Sequence, residues 1–382
     1  MVAQGDIQVR QITDAKGRRD FIHAARPAYA GDPNYVPPLE YELGPRLDPA
    51  KNLVLQGADH ALWVAEKDGV PLGRISAIIN PLHLDRYKDA TGQFGFLDAI
   101  DDGDVFKALF QTAEDWLRAR GMKRVNGPFS FSINEECGLL IDGFDTPPYF
   151  MMPHGRDWYQ RHVEALGYSK SIDMYALEWI PKRDFIPEKR LRFVERALNK
   201  PHITVRPFDF SNFKQEIQTL VDIYNDAWSD NMGFIPFTKD QAAHMADELR
   251  PIISPYNTVM CEIDGEPAAF GLVLPNLNYA IKDFDGKLLP FNWAKFLYRL
   301  KVKGIPQARM PLMGVRKKLQ GKPVGAAFAY KIIECVNTAN IDRGLEASEL
   351  SWILENNPAM LNMLTEMGSR IYKTYRIYEK QL

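Results

Sequence analysis

Two stretches of the chain carry residues whose types and spacing could do chemistry. They are Gly314-Val-Arg-Lys-Lys-Leu-Gln-Gly-Lys-Pro-Val-Gly-Ala-Ala327 and, about twenty residues later, Glu349-Leu-Ser-Trp-Ile-Leu-Glu-Asn-Asn-Pro358. In the first, an apolar run, a basic glycine-containing loop and a helical run from Ala326 to Asp342 offer free backbone N–H groups at a helix N-terminus, which is how a chain holds a phosphate. A phosphorylated ligand is expected there. In the second, alternation over Ser348 to Leu354 puts Glu349, Ser351, Ile353 and Glu355 on one face of a strand and Leu350, Trp352 and Leu354 on the other. A general base needs a reachable carboxylate or imidazole whose pKa burial can tune. Glu349 is the better candidate, because Glu355 stands at the strand's end; the alternative role for Glu349 is an ion pair with a nearby arginine. Asn357 before Pro358 reads as the cap and first residue of a helix running to Met367.

The elements that must position these residues occur twice. Ile7 to Ile12 and Ile203 to Phe208 both alternate as strands and lead into helical segments. Ala61 to Ile79, turning at Lys67-Asp-Gly69, is answered by Thr258 to Leu274, turning at Ile263-Asp-Gly265, and each reads as a hairpin with an Asp-Gly turn. The helix ending at Gly121 is matched by Ile333 to Gly344, and Glu164-Ala-Leu-Gly-Tyr168 by Thr365-Glu-Met-Gly-Ser369. Pro181 to Pro187 breaks regular structure, and Glu188 to Asn199 reads as a charged connecting helix. The expectation is an α/β protein with mixed sheets: one domain over residues 1–182, a linker over 183–201 and a second domain over 202–382. Each domain is expected to run strand, helix, hairpin, helix, strand, helix, strand.

A length of 382 residues suits two domains of ordinary size, and 46% apolar with 25% charged residues is an ordinary globular balance. With 47 basic and 49 acidic side chains no global field recruits nucleic acid, so charge matters locally. Cys137, Cys261 and Cys335 are odd in number and lack ligand spacing, which argues for a reducing compartment and against structural zinc; no metal is expected. Without a basic and apolar leader or a long apolar run, the expected location is the cytoplasm. From Gly286 through Ile333 there is no Asp or Glu but there are eleven Lys and Arg residues. Within it, residues 291–303 mix aromatic and basic side chains at roughly helical spacing, which suits peripheral contact with an anionic membrane such as the inner membrane. The ordinary alternative is a core helix with a solvated basic face.

The first half offers different candidates. Where the phosphate loop should fall, Ala99-Ile-Asp-Asp-Gly-Asp-Val105 carries three aspartates that would repel an anion. Its least ordinary segment is Phe129 to Gly138, where Asn134 and Glu136 follow an aromatic strand; they are candidate substrate-site residues, with turn and cap structure as the other reading. His154 is a further candidate base.

The loop at 314–327 resembles the Arg/Gln-x-x-Gly-x-Gly/Ala pattern of the acyl-CoA-dependent GNAT superfamily. Gln320, Gly321, Lys322, Val324 and Gly325 fall in step with it, and Val315 stands at the last apolar strand position. Pro323 departs from the pattern, replacing its first glycine and removing an N–H. The whole chain resembles a tandem GNAT-like bacterial family through Gly31-Asp-Pro-Asn-Tyr-Val-Pro-Pro-Leu39, Gly127-Pro-Phe-Ser-Phe-Ser-Ile-Asn-Glu-Glu-Cys-Gly138, Gly143-Phe-Asp-Thr-Pro-Pro148 and Tyr372-Lys-Thr-Tyr-Arg-Ile-Tyr-Glu379. That family includes bacterial ceramide synthases. The resemblance implies two tandem GNAT-like domains and acyl-CoA as a co-substrate, held by Val315, Gln320, Gly321, Lys322, Val324, Gly325, Ala326 and Asn357. It further implies transfer of the acyl group to an amine, a sphingoid base or other long-chain amine, without nucleic acid. The family's leaving-group tyrosine falls at Leu364, so Tyr372 or Tyr375 would have to substitute. Two alternatives stay open: aminoacyl transfer from aminoacyl-tRNA by a tandem GNAT fold, and a non-catalytic lipid- or nucleotide-binding scaffold.

Overall fold

The computed structural model describes residues 6–382. Its chain divides into two units: residues up to 175 together with 281–295 and 373–382, and residues 176–280 together with 296–372.

The first unit begins with β1 (Gln8–Ile12), α1 (Ala15–His23) and α2 (Glu40–Arg46). The hairpin β2 (Asp59–Lys67) and β3 (Val70–Ile79) follows, then α3 (Pro81–Tyr87), β4 (Thr91–Ala99), α4 (Gly103–Arg118), β5 (Arg124–Gly127), β6 (Leu139–Asp142), α5 (Trp158–Ala165) and β7 (Ser169–Trp179), of which the residues up to 175 belong to this unit. Strands run in the order β1-β2-β3-β4-β5, antiparallel except for the parallel pair of β4 and β5. At the hairpin turn Asp68 and Gly69 have φ of 52° and 77°, the left-handed pair a two-residue turn demands. α4 buries Val105, Phe106, Leu109, Phe110, Ala113 and Leu117, a three-to-four-residue stripe that joins Trp63, Ile75, Ala77 and Phe94 of the sheet in one core.

The remaining elements are α6 (Glu188–Leu198), β8 (Ile203–Arg206), α7 (Phe213–Ala227), α8 (Lys239–Leu249), β9 (Thr258–Ile263), β10 (Glu266–Pro275), α9 (Leu277–Ile281) and α10 (Asn292–Tyr298). After them come β11 (Gln307–Val315), α11 (Pro323–Ile341), β12 (Ala347–Leu354), α12 (Pro358–Glu366) and β13 (Arg370–Gln381). In the second unit the order is β12-β11-β10-β9-β8, with β11 and β12 parallel. Its hairpin turn repeats the first, Asp264 and Gly265 having φ of 53° and 79°. From Lys373 onward the C-terminal strand β13 belongs to the first unit, where it pairs antiparallel with β5 and β6.

Both Asp-Gly hairpins, the connecting helix and the helix after Asn357 stand where the sequence places them. The first half has two strands more than the expected order, β4 and β6, and the second has one more, β11, whose end at Val315 the loop motif had implied. β4 escapes a propensity reading because of its glycines, which the packing requires. A Cβ at Gly92 would lie 2.3 Å from a Leu117 methyl, and one at Gly95 only 1.8 Å from the Phe129 carbonyl oxygen.

Candidate active site

In the second unit the parallel ladder of β11 and β12 runs from Gln307–Ala347 to Met310–Leu350, while β11 continues to Val315 and β12 to Leu354. Past that point the two central strands form a fork. Its sides carry Pro311, Leu312 and Met313 on β11 and Trp352, Ile353 and Leu354 on β12, all half-buried. A fork between parallel strands exposes main-chain groups and apolar side chains together, which suits an amide-bearing chain ending in an acyl group.

β11 leads directly into the predicted phosphate loop. Lys317–Leu319 form a single tight turn, Gly321 takes φ of 71°, and Pro323 is the first residue of α11. Proline at that position sacrifices only an N–H that has no intrahelical acceptor, so it initiates the helix well. The N–H groups of Val324 and Gly325 remain in the first turn, where the helix supplies them no partner. No side chain caps α11, and Lys317, Lys318 and Lys322 precede it in sequence, Lys317 paired with Asp230 at 2.6 Å. Gly325 is needed for close approach, since a Cβ there would lie 2.2 Å from the Leu319 carbonyl oxygen. Gln320 is exposed, but its side-chain amide donates to the carbonyls of Val315 at 2.9 Å and Ala227 at 3.0 Å, tying the loop to the end of β11. The Lys317 N–H donates to an Asp226 carboxylate oxygen at 2.8 Å. Ala326 is exposed, its N–H already spent on the Lys322 carbonyl. Asn357 caps α12, its side-chain oxygen accepting the Met360 N–H at 3.2 Å.

Glu349 stands beside the fork and is completely buried, 0% exposed. It is register partner to Arg309 on β11, so the two side chains share one face of the ladder and meet, Nε to Oε1, at 3.4 Å. The Ser351 hydroxyl donates to Glu349 at 2.6 Å and accepts from Arg309 Nε at 2.8 Å. The Tyr372 hydroxyl donates to the other carboxylate oxygen. Arg309 also lies over the Trp352 ring, 4.9 Å from its centre. The arginine pairing that the sequence left as the alternative role of Glu349 is present. Among these groups Tyr372 is the half-buried end of the chain. Leu364 is buried in α12 and brings no polar group.

The first unit has the same fork with different contents. Its parallel ladder runs from Thr91–Arg124 to Gln93–Asn126. Beyond it the chain after β5 fills the gap: the Phe129 N–H donates to the Phe94 carbonyl at 2.7 Å, and Phe129 and Phe131 are fully buried, Phe131 against Phe96. At α4 the Asp102 carboxylate caps the helix, accepting from the Asp104 and Val105 N–H groups. Asn134 and Glu136 lie in the segment that follows the filled fork. The Asn134 N–H donates to Ser132 Oγ at 3.1 Å, and Arg46 binds Glu135 at 2.9 Å and Glu136 at 3.4 Å. Burial pushes the Glu135 carboxyl above its usual range, against the pull of Arg46. A buried set joins β3 and β4, in which Arg74 Nε donates to Asp98 at 2.7 Å and the Tyr29 hydroxyl donates to its other oxygen at 2.6 Å. His154 donates from Nε2 to Asp32 at 3.0 Å, and Arg156 meets the same oxygen at 2.7 Å. Burial lowers the His154 pKa more than Asp32 raises it. A shallow cleft of about 310 Å³ lies beside this group, lined by Asp32, Phe144 and Arg156 among others.

Arg309, Ser351 and Tyr372 were not read from the sequence as one group. The available signal was a single arginine within the otherwise apolar Ala308-Arg-Met-Pro-Leu-Met313, a buried cation that needs a counter-ion.

The repeated fork, with a phosphate-type loop leading from one of them, places the chain in the class of tandem GNAT-fold proteins. Solved structures agree with that fold: a tandem GNAT protein from the clavulanic acid biosynthesis pathway superposes with a TM-score of 0.57 at 10% identity, covering 98% of both chains. A GCN5-related N-acetyltransferase from Sphaerobacter thermophilus gives 0.53 at 14% identity over 98% of this chain and 95% of that one. Among sequences, the bacterial ceramide synthase of Caulobacter vibrioides is 42% identical over 99% of this chain and 98% of its own length. Protein YghO of Escherichia coli K12 is 45% identical over 98% of this chain and 95% of its own. The chain therefore belongs to the family of GNAT-type acyltransferases that contains the Caulobacter bacterial ceramide synthase. No protein-family model matches it. Among the described residues no helix is long and apolar enough to cross a membrane.

Proposed function

We propose that this protein transfers an acyl group from acyl-CoA to the amine of a long-chain acceptor such as a sphingoid base, with the donor held by the domain at residues 202–382. The observation that carries the reading is the conjunction of an open fork between β11 and β12 with an uncapped, lysine-flanked start of α11 directly after it. The start of α11 suits the pyrophosphate and the fork suits the pantetheine arm and thioester. The relative named a ceramide synthase supplies the acceptor class.

In this reading the neutral amine attacks the thioester carbonyl, a C–N bond forms, the C–S bond breaks and the CoA thiolate leaves. The acceptor's ammonium gives one proton to water before the attack, and the second proton lost from nitrogen as the amide forms passes to the departing sulfur. Glu349, enclosed by Arg309 and Ser351, is a positioning residue that acts through Tyr372, which is left as the group able to exchange a proton near the fork. Gln320 holds the loop in shape rather than touching phosphate.

Free-thiol release with a long-chain acyl-CoA and sphinganine tests this. Release that requires the amine, and that falls at least about tenfold in both Tyr372→Phe and Gly325→Val, is expected. Absence of release together with no calorimetric CoA binding by the folded wild type removes the reading and favours a tRNA donor or a scaffold.

A further inference from the structure

Exposed apolar side chains are concentrated in one short stretch of this molecule. Of the twelve large apolar or aromatic residues exposed among the described ones, Leu289, Phe291, Trp293, Leu297, Tyr298 and Val302 fall within residues 289–302. Phe291 is 81% and Val302 72% exposed. The stretch forms α10 and a following wide helical turn over Arg299–Lys303.

A core-packing helix points its rings inward and its charges outward. Here the inward stripe is narrow, made of half-buried Asn292, Phe296, Arg299 and Leu300, while the larger apolar groups face out beside Lys295, Lys301 and Lys303. The ordinary reading of a core helix with a solvated basic face does not describe that arrangement. The segment itself is basic, because no Asp or Glu occurs from Gly286 through Ile333. The carboxylates that immediately precede it in sequence are paired, Asp283 with Lys295 at 2.5 Å and Asp285 with Arg26 at 2.8 Å. The first repeat has no counterpart: its hairpin is joined to β4 by residues 80–90 with only α3 between, whereas residues 276–306 separate β10 from β11.

We infer that residues 289–303 are a docking surface for an anionic lipid bilayer, entering the boundary between headgroups and acyl chains with Phe291, Trp293, Leu297 and Val302 and meeting lipid phosphates with Lys287 and Lys303. Outward rings and aliphatic groups interleaved with ammonium groups fit an interface that is apolar below and anionic above. A bilayer is favoured over a soluble protein partner by the excess of positive charge, since residues 286–333 carry eleven Lys and Arg and the two preceding carboxylates, Asp283 and Asp285, are already paired. The surface stands apart from the acyl-transfer reading, since its occupancy is read without turnover; in that reading it is where a long-chain amine would be met.

Sedimentation of the full chain with vesicles of phosphatidylcholine alone, or mixed with phosphatidylglycerol, tests the inference. Binding to the mixed vesicles, weak binding to phosphatidylcholine and loss on raising the salt are expected. A triple Phe291→Ser, Trp293→Ser, Val302→Ser variant is expected to weaken binding by about tenfold or more with an unchanged melting temperature, because the replaced groups are exposed. A wild type that ignores both vesicles, or a triple variant that binds like wild type, overturns the inference. So does a wild type that sediments as a dimer and becomes a monomer on triple substitution without binding vesicles, which would make the patch a contact between copies.

Discussion

The two halves of this chain begin from one plan and treat its two critical points in opposite ways. In each, two parallel central strands pair for three or four residues and then part. In the first half the gap is packed with Phe129 and Phe131, and the following helix is capped by the Asp102 carboxylate. In the second half the fork is lined by half-buried apolar residues, and the following helix starts at Lys322 and Pro323 without a side-chain cap. Each half also buries an arginine, a carboxylate and a tyrosine hydroxyl as a unit. Arg74 and Asp98 face each other across antiparallel β3 and β4, with Tyr29, whereas Arg309 and Glu349 face each other across parallel β11 and β12 one pair before their ladder ends, with Tyr372. One copy of a duplicated fold thus fills its fork with its own chain, while the other keeps its fork lined by side chains, with Trp228 Nε1 donating to the Met313 carbonyl at 3.1 Å.

The largest expected effect comes from removing either buried arginine. Arg74→Leu and Arg309→Leu each strand a buried carboxylate and should cost about 3–5 kcal/mol in denaturant unfolding. The comparison is sharpened by the double replacements with Asp98→Leu and Glu349→Leu, which should recover much of that stability. Thiol release measured on the refolded doubles should survive in the first pair and vanish in the second. If both doubles turn over alike, the cluster at the second fork is only structural.

A smaller effect separates the two helix starts. Lys318→Glu with Lys322→Glu should weaken CoA binding by about tenfold or more, and the gap to wild type should narrow in high salt. Asp102→Ala should cost about 0.5–2 kcal/mol of stability as a lost cap and leave CoA affinity where it was. Calorimetry with CoA on both variants decides, and equal affinity in the lysine variant and the wild type would place the anion elsewhere.

What the sequence reveals of this contrast is local. Asp-Gly turns, the aspartates at 101–104 and the lysine-rich loop are short-range signals whose geometry follows from a few neighbouring residues, and they were legible. Glu349 could be picked out by its depth in an alternating strand. Its partners could not, because Arg309 reaches it through the register of β11 and β12, and Tyr372 comes from β13, a strand that does not pair with β12. Gln320 matched a motif letter, yet its amide is spent on the Val315 and Ala227 carbonyls, a use that depends on where α7 ends. The filled first fork was hidden for a related reason: Gly92 and Gly95 look like strand breakers until Leu117 and the Phe129 carbonyl are seen pressed against them.

The smallest effect concerns the first half's histidine and tests whether that half is framework. Burial depresses the His154 pKa in the fold, with Lys373 and Arg156 adding to it and Asp32 opposing. Its Nδ1 is buried with no hydrogen-bond partner, so a second proton there would find no acceptor. The unfolded chain titrates near the usual value of about 6.5. Below that pH the unfolded state binds the extra proton more readily, so stability should fall as pH drops from about 7 toward 5. Asp32 behaves as a second, lower step. Burial raises its pKa, but the Asn34 N–H, His154 and Arg156 together lower it further, so its contribution is lost only as pH falls below about 3.9. Melting temperature against pH for wild type and His154→Gln should therefore converge on acidification, the variant lacking the upper step. Parallel curves would mean that His154 already exchanges its proton with solvent, as a working base does, and the first half would lose its standing as the inert copy.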